Sequence, residues 1–168
     1  MTAPGIARRI GWALVRLLVG GFFLAWLGLV IYGNLPPSKL VKWRSVEGAA
    51  STAAAQHKPI IYDFWATWCG PCNEMDRTVF SNKEVASFIN SNFVPVRVND
   101  DDHASPVDAV RSAYRVRSLP TLLVAHARNG ELSRIEGFHD KRQTLAFLKI
   151  ALEQARSAEA DRDQPTPK

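Results

Sequence analysis

The sequence predicts an α/β sandwich, a mixed central sheet with helices on both faces, preceded by one N-terminal transmembrane helix. Three observations predict it. Strand-like and helix-like segments follow one another as strand, helix, strand, helix, hairpin, helix, the order of an α/β domain. The only two cysteines, Cys69 and Cys72, stand two residues apart between a predicted strand and a predicted helix. Finally, the 22 residues between Arg16 and Lys39 carry no charge.

Length and charge bound the rest. A chain of 168 residues supports one domain with appendages and buries a core without structural disulfides. The formal charge of +5 comes from its first 44 residues, which hold Arg8, Arg9, Arg16, Lys39, Lys42 and Arg44 and no acid, leaving 15 basic against 16 acidic residues beyond them. The basicity therefore belongs to the N-terminal segment, which argues against a nucleic-acid partner.

In chain order, residues 1–16 form a basic tail and helix start, and 17–35 a membrane anchor. At 1.5 Å rise per helical residue, 22 residues reach about 33 Å, enough for a hydrocarbon core of about 30 Å. Trp12, Trp26 and Tyr32 suit the interfaces, and Pro36-Pro37 ends the helix. Three basic residues on either side leave the positive-inside count tied. The short Arg8-Arg9 tail resembles the start of an export signal, which places the N-terminus in the cytoplasm and the domain outside. The alternative is a cleaved signal peptide, with Ile31 and Gly33 at a weak cleavage site.

Residues 36–44 form a linker whose Leu40–Arg44 end could add an edge strand. Ser45 is expected to cap an Ala-rich helix to about Gln56. Ile60–Trp65 is a buried strand interrupted by one acid, Asp63. A helix is expected from Cys72 to about Val79, then a second from a Ser81-x-x-Glu84 capping box to Ser91. Phe93–Val98 is the next strand, and Asp100-Asp101-Asp102-His103 reads as a solvated loop without the glycine and distal glutamate of a calcium loop. Ser105-Pro106 opens a helix to about Tyr114, Asn129-Gly130 turns a hairpin between Leu122–Ala125 and Glu131–Glu136, and Asp140 with Gln143 caps a last helix whose Leu145, Leu148 and Leu152 face inward. The domain spans 45–156, and 157–168 reads as a disordered tail.

Asp63-Phe64-Trp65-Ala66-Thr67-Trp68-Cys69-Gly70-Pro71-Cys72, with Leu119-Pro120-Thr121 and Asn129-Gly130 far downstream, resembles the thioredoxin family from about Lys39 to Ala155. The Thr78–Ser81 link into the second helix is more similar to the periplasmic C-terminal domain of the transmembrane reductant transporter DsbD than to a soluble thioredoxin. The chemistry follows from the residues. A thiolate is the attacking species, and a cysteine at a helix N-terminus has its anion favoured by unpaired N–H groups and the dipole, so Cys69 is the expected nucleophile. Cys72, one turn on, resolves the mixed disulfide. Gly70 tolerates the turn and Pro71 stiffens it. A buried acid tends to hold a proton, so Asp63 can take one from Cys72 and return it. The resemblance implies that Pro120 is cis and faces the pair, keeping metals off the thiols, that the Leu119 backbone pairs with an extended substrate, and that Trp68 docks it. Arg97 stands where the family carries a lysine beside the acid, and an arginine, which stays charged, cannot join a proton relay in the same way.

The expected function is a membrane-tethered, periplasmic thiol–disulfide oxidoreductase of the bacterial inner membrane that reduces disulfides in exported proteins. It needs no cofactor but requires a transmembrane electron donor of the DsbD type. An oxidase or isomerase is the enzymatic alternative. A metal module using both thiols is the other class, although His57, His103, His126 and His139 lack ligand-like spacing.

Overall fold

A computed structural model describes residues 16, 18–28, 40–127 and 130–163. The chain divides into two units, Met1–Pro36 and Pro37–Lys168. In the first, residues 18–28 form a helix, α1, whose Leu18, Phe22, Phe23, Leu24 and Trp26 are exposed. Leu17 and residues 29–35 of the expected anchor lie outside the described residues, and among the described residues no helix is long and apolar enough to cross a membrane.

In the second unit the elements run α2 (Ala49–Gln56), β1 (Ile60–Trp65), α3 (Gly70–Met75), a π-helical turn (Asp76–Phe80), α4 (Lys83–Asn92), β2 (Val94–Asn99), α5 (Ser105–Ala113), β3 (Thr121–His126), β4 (Gly130–Glu136) and α6 (Lys141–Asp163). The sheet order is β2-β1-β3-β4, with β1 and β2 parallel and β3 antiparallel to both β1 and β4. The expected mixed sheet is therefore present. Strand side chains alternate between faces. Ile60, Tyr62 and Phe64 pack with Val94, Val96, Val98 and α2, while Ile61 packs with Met75, Val79, α4 and α6 on the other face. Each fully buried aliphatic or aromatic side chain contributes about 1.5–3 kcal/mol to holding these layers together.

Local chemistry moved several boundaries. Ser45 caps nothing; α2 starts after Gly48, whose φ of 70° is a left-handed conformation that glycine adopts without strain. The cap of α4 is Asn82, whose side chain accepts from the backbone N–H groups of Glu84 and Val85, while Ser81 Oγ donates back to Arg77 O. Ser105 is the first residue of α5, and its N-cap position is Ala104, whose N–H donates to Asp102 Oδ1 at 2.9 Å. The helix expected to run from Cys72 to about Val79 changes winding at Asp76, and the wider turn buries Val79 and Phe80 side by side. Of the proposed Leu40–Arg44 edge strand only one bridge forms, Arg44 to Val96, because Leu40, Val41 and Trp43 instead pack into the apolar core. Arg128 and Asn129 of the expected hairpin turn lie outside the described residues.

The Asp140–Gln143 capping box forms as expected, with Asp140 N–H donating to Gln143 Oε1 and Asp140 Oδ1 accepting from Arg142 and Gln143. Leu145, Leu148 and Leu152 of α6 are buried. This helix runs on to Asp163, past the Ser157 boundary drawn from composition, since Ala155 still anchors it to the core and polar residues propagate a helix once it is nucleated.

Candidate active site

The site forms where β1 ends. Trp65 passes into a short turn, and α3 begins with Cys69 at the N-cap position. Cys69 and Cys72 are disulfide-bonded, with Cα atoms 5.3 Å apart. The N–H of Cys72 points at Cys69 Sγ from 3.2 Å, so one of the donors left unpaired at the helix start is aimed at this sulfur. Both cysteines are buried against Ala66, Trp65 and Leu119. Pro71 occupies the first helical turn, where its missing N–H costs nothing. The φ of Gly70 is not left-handed and a Cβ there would meet nothing within 4 Å, so the turn accepts glycine without requiring it.

The distant proline arrives as the resemblance implied. The Leu119–Pro120 peptide is cis, Leu119 packs against the cysteine cluster, and Pro120 is buried. Its loop is held by Gly137 N–H donating to Pro120 O at 2.8 Å and by Thr121 Oγ1 donating to Ser118 O at 2.8 Å. Trp68 is 69% exposed beside the pair, whereas Trp65 is partly buried.

Asp63 is 1% exposed on β1. Burial pushes its carboxyl up to about 7, against the opposing pull of the Arg97 guanidinium and with a further upward push from Asp76. Arg97 sits opposite Asp63 on β2 in parallel register. Its Nε is 3.1 Å from Asp63 Oδ2, but neither atom has an aligned hydrogen bond. Its Nη2 donates instead to both oxygens of Asp76, each at 2.8 Å. The guanidinium carbon lies 4.1 Å from the Trp65 ring centroid and 5.6 Å from that of Trp43.

Sequence reasoning missed Asp76, Trp43 and Asp101. Asp76 could have been found, since it lies four residues after Cys72 and one helical turn places it on the same face. Asp101 gave no local signal. It belongs to the cluster read as a solvated loop, yet its Oδ2 accepts from Thr67 N and Thr67 Oγ1, both at 2.8 Å. These bonds hold its carboxyl below the usual carboxylate range. Asp100 pairs with Arg111 and Asp102 with the start of α5, so each carboxylate of the cluster has a partner. The register Trp65 to Asn99 explains the encounter: two parallel strands end together, so the loops after them touch at the sheet's carboxyl edge, where α/β proteins place their sites. Among the described residues, no group of three or more His, Cys, Asp or Glu side chains is placed to hold a metal ion.

Residues 46–152 match the thioredoxin-like domain family. A thioredoxin-like protein of Synechocystis is 31% identical over 101 residues, 60% of this chain and 89% of that one. The thiol:disulfide interchange protein DsbD of Yersinia pestis is 30% identical over 105 residues, 60% of this chain but 17% of the relative. Among solved structures, a thioredoxin from Thermus thermophilus superposes with a TM-score of 0.63 at 20% identity, covering 76% of this chain and 98% of that one. The oxidised C-terminal domain of Neisseria meningitidis DsbD superposes at 0.50 and 22% identity, covering 65% and 92%. With its CxxC-spaced pair at the start of α3, the chain belongs to the thioredoxin-like family and is a disulfide oxidoreductase of that family.

Proposed function

We propose that the protein is a membrane-tethered reductant of disulfides in exported proteins, working on the periplasmic side of a bacterial inner membrane. The observation that carries the exchange chemistry is the Cys72 N–H aimed at Cys69 Sγ. The same donor that faces sulfur in the disulfide would stabilise the Cys69 thiolate once the pair is reduced. In the reduced protein this thiolate attacks one sulfur of a substrate disulfide, forming a mixed disulfide and expelling the other sulfur as a thiolate. Cys72 gives its proton to the Asp63 carboxylate and attacks Cys69 Sγ, which releases the second substrate thiolate and restores the Cys69–Cys72 bond. Two electrons pass to the substrate. Asp63 then releases its proton, at a carboxyl whose ordinary range has been moved near neutrality.

Trp68, Leu119, Pro120 and the open space over Gly70 and Pro71 form the docking surface for an extended substrate segment. The reducing direction is supported by the Gly70-Pro71 dipeptide, which resembles that of reducing members of the family, and the exchange chemistry by the similarity to DsbD, a thiol:disulfide interchange protein. An oxidised reductant needs recharging, so a transmembrane dithiol donor of the DsbD type is the partner. Tethering is supported by the uncharged run from 17 to 38 and by the exposed apolar side chains of α1, with the N-terminus in the cytoplasm.

Full-length Cys72→Ser should trap partners as mixed disulfides through Cys69 that dithiothreitol releases. Trapping by Cys69→Ser alone would reverse the two roles. A reduction potential near about −270 mV supports the reductant, and one near about −120 mV makes the protein an oxidase. A reporter fused after Lys168 should be active only outside the cytoplasm, and activity only inside rejects the orientation.

A further inference from the structure

Arg97 is held from three directions. Its Nη2 is spent on both Asp76 oxygens at 2.8 Å, its guanidinium lies over the Trp65 ring, and Trp43 approaches from the segment preceding α2. An arginine free to choose gives a carboxylate its paired N–H groups. Here one nitrogen, Nη2, serves both oxygens of the partly exposed Asp76, while the buried Asp63 has a close but misaligned Nε. The arrangement leaves Oδ2 of a buried carboxylate 3.1 Å from a permanent cation without an aligned bond to it.

We propose that Asp76 and Arg97 form a positioning pair: Asp76 holds the guanidinium off Asp63, so that Asp63, on the strand that leads into the cysteine turn, keeps its ability to take and release a proton. This deepens the exchange mechanism above and rests on it. The charged groups acting on Asp63 are Arg97 from β2 and Asp76 from the π-helical turn, while β3 offers apolar Leu122 opposite it. Without Asp76 the guanidinium turns its paired donors onto Asp63 and locks it as an anion. Asp63 could then still accept a hydrogen bond, but it would no longer accept a proton near neutral pH.

The test is a nuclear magnetic resonance titration of the Asp63 carboxyl carbon in the full-length protein. It compares the parent chain, Asp76→Asn, Arg97→Met and the double variant, with Arg97→Gln as a second background if Arg97→Met does not fold. Asp76→Asn should lower the Asp63 midpoint by about one pH unit or more, the effect of an opposite charge drawn close, and Arg97→Met should raise it. In the Arg97→Met background, Asp76→Asn should shift the midpoint by much less. An equal shift in both backgrounds, or none in either, overturns the pair, since Asp76 would then act by its own charge or not at all. A second readout is the pH profile of the reduced protein's reaction with a small aromatic disulfide, whose lower limb should move down with Asp76→Asn. If the parent chain reacts with no disulfide at any pH, the exchange function fails while the titration still decides the pair. If exchange proceeds and the midpoints show no dependence on background, the pair falls and the function stands.

Discussion

The two faces of β1 carry successive residues of one strand and do opposite work. Ile60, Tyr62 and Phe64 face α2 and α5 in a largely apolar layer, where the rings of Tyr62 and Tyr114 pack 5.4 Å apart and the hydroxyl of buried Thr121 donates to Ser118 O. Ile61 and Asp63 face α3, α4 and α6, and there a carboxyl is buried as deeply as its apolar neighbours. The first face stabilises through area removed from water. The second accepts a desolvation cost at one position, the carboxyl of Asp63, six residues before Cys69 on the strand that leads into the cysteine turn. A buried acid and an apolar layer are thus separated across a single strand.

The largest expected effect breaks the first face. Phe64→Ala should cost about 3–5 kcal/mol in denaturant unfolding, because the closed layer cannot refill the space, and should leave the pH dependence of stability unchanged. Next comes the second face, with the opposite sign. Burial pushes the native Asp63 carboxyl up to about 7, against 3.8 for a free carboxyl, so between these values the native state binds more protons than the unfolded chain. Its contribution is therefore most favourable below about pH 4, declines as pH rises to about 7 and is level above that. Asp63→Asn should gain up to about 4 kcal/mol at pH 8, with little gain at pH 4, and should slow disulfide exchange by about 10²-fold. Loss of stability at pH 8 would show that the charge of Asp63 holds the fold and that the two faces do not differ as argued.

A smaller effect sharpens the comparison at the loop edge. Asp101→Asn should slow exchange with a folded protein disulfide while sparing a small aromatic one, because it loosens the turn that carries exposed Trp68 and leaves the sulfurs in place. Equal slowing with both substrates would mean the tether shapes the cysteine turn itself. Smallest of all, Gly70→Ala should change stability by less than about 0.5 kcal/mol, since its Cβ enters open space. Any loss of rate in this variant then reports substrate approach alone.

Much of this was legible in the chain. Apolar runs with β-branched and aromatic residues marked β1, β2 and β3, the spacing of Leu145, Leu148 and Leu152 marked the inner face of α6, and the reciprocal Asp140–Gln143 cap marked its start. These features follow from local periodicity and local hydrogen bonds, which need no knowledge of the fold. Helix starts at Ser45, Ser81 and Ser105 were misplaced by one to a few residues for a related reason: several neighbouring polar groups can cap, and packing chooses among them.

The sequence by itself determined the cysteine spacing, the acid in a buried strand, the distant proline and the uncharged N-terminal run, because each is a property of residue type and order. Only the tertiary structure decided that Asp76, 13 residues after Asp63, and Trp43, 20 before it, converge on Arg97, and that Asp101 holds Thr67 from a loop 34 residues away. Those meetings depend on strand register and on the turn that α3 makes across the sheet. Charge in a protein interior acts over distances set by packing, and packing is a property of the whole domain.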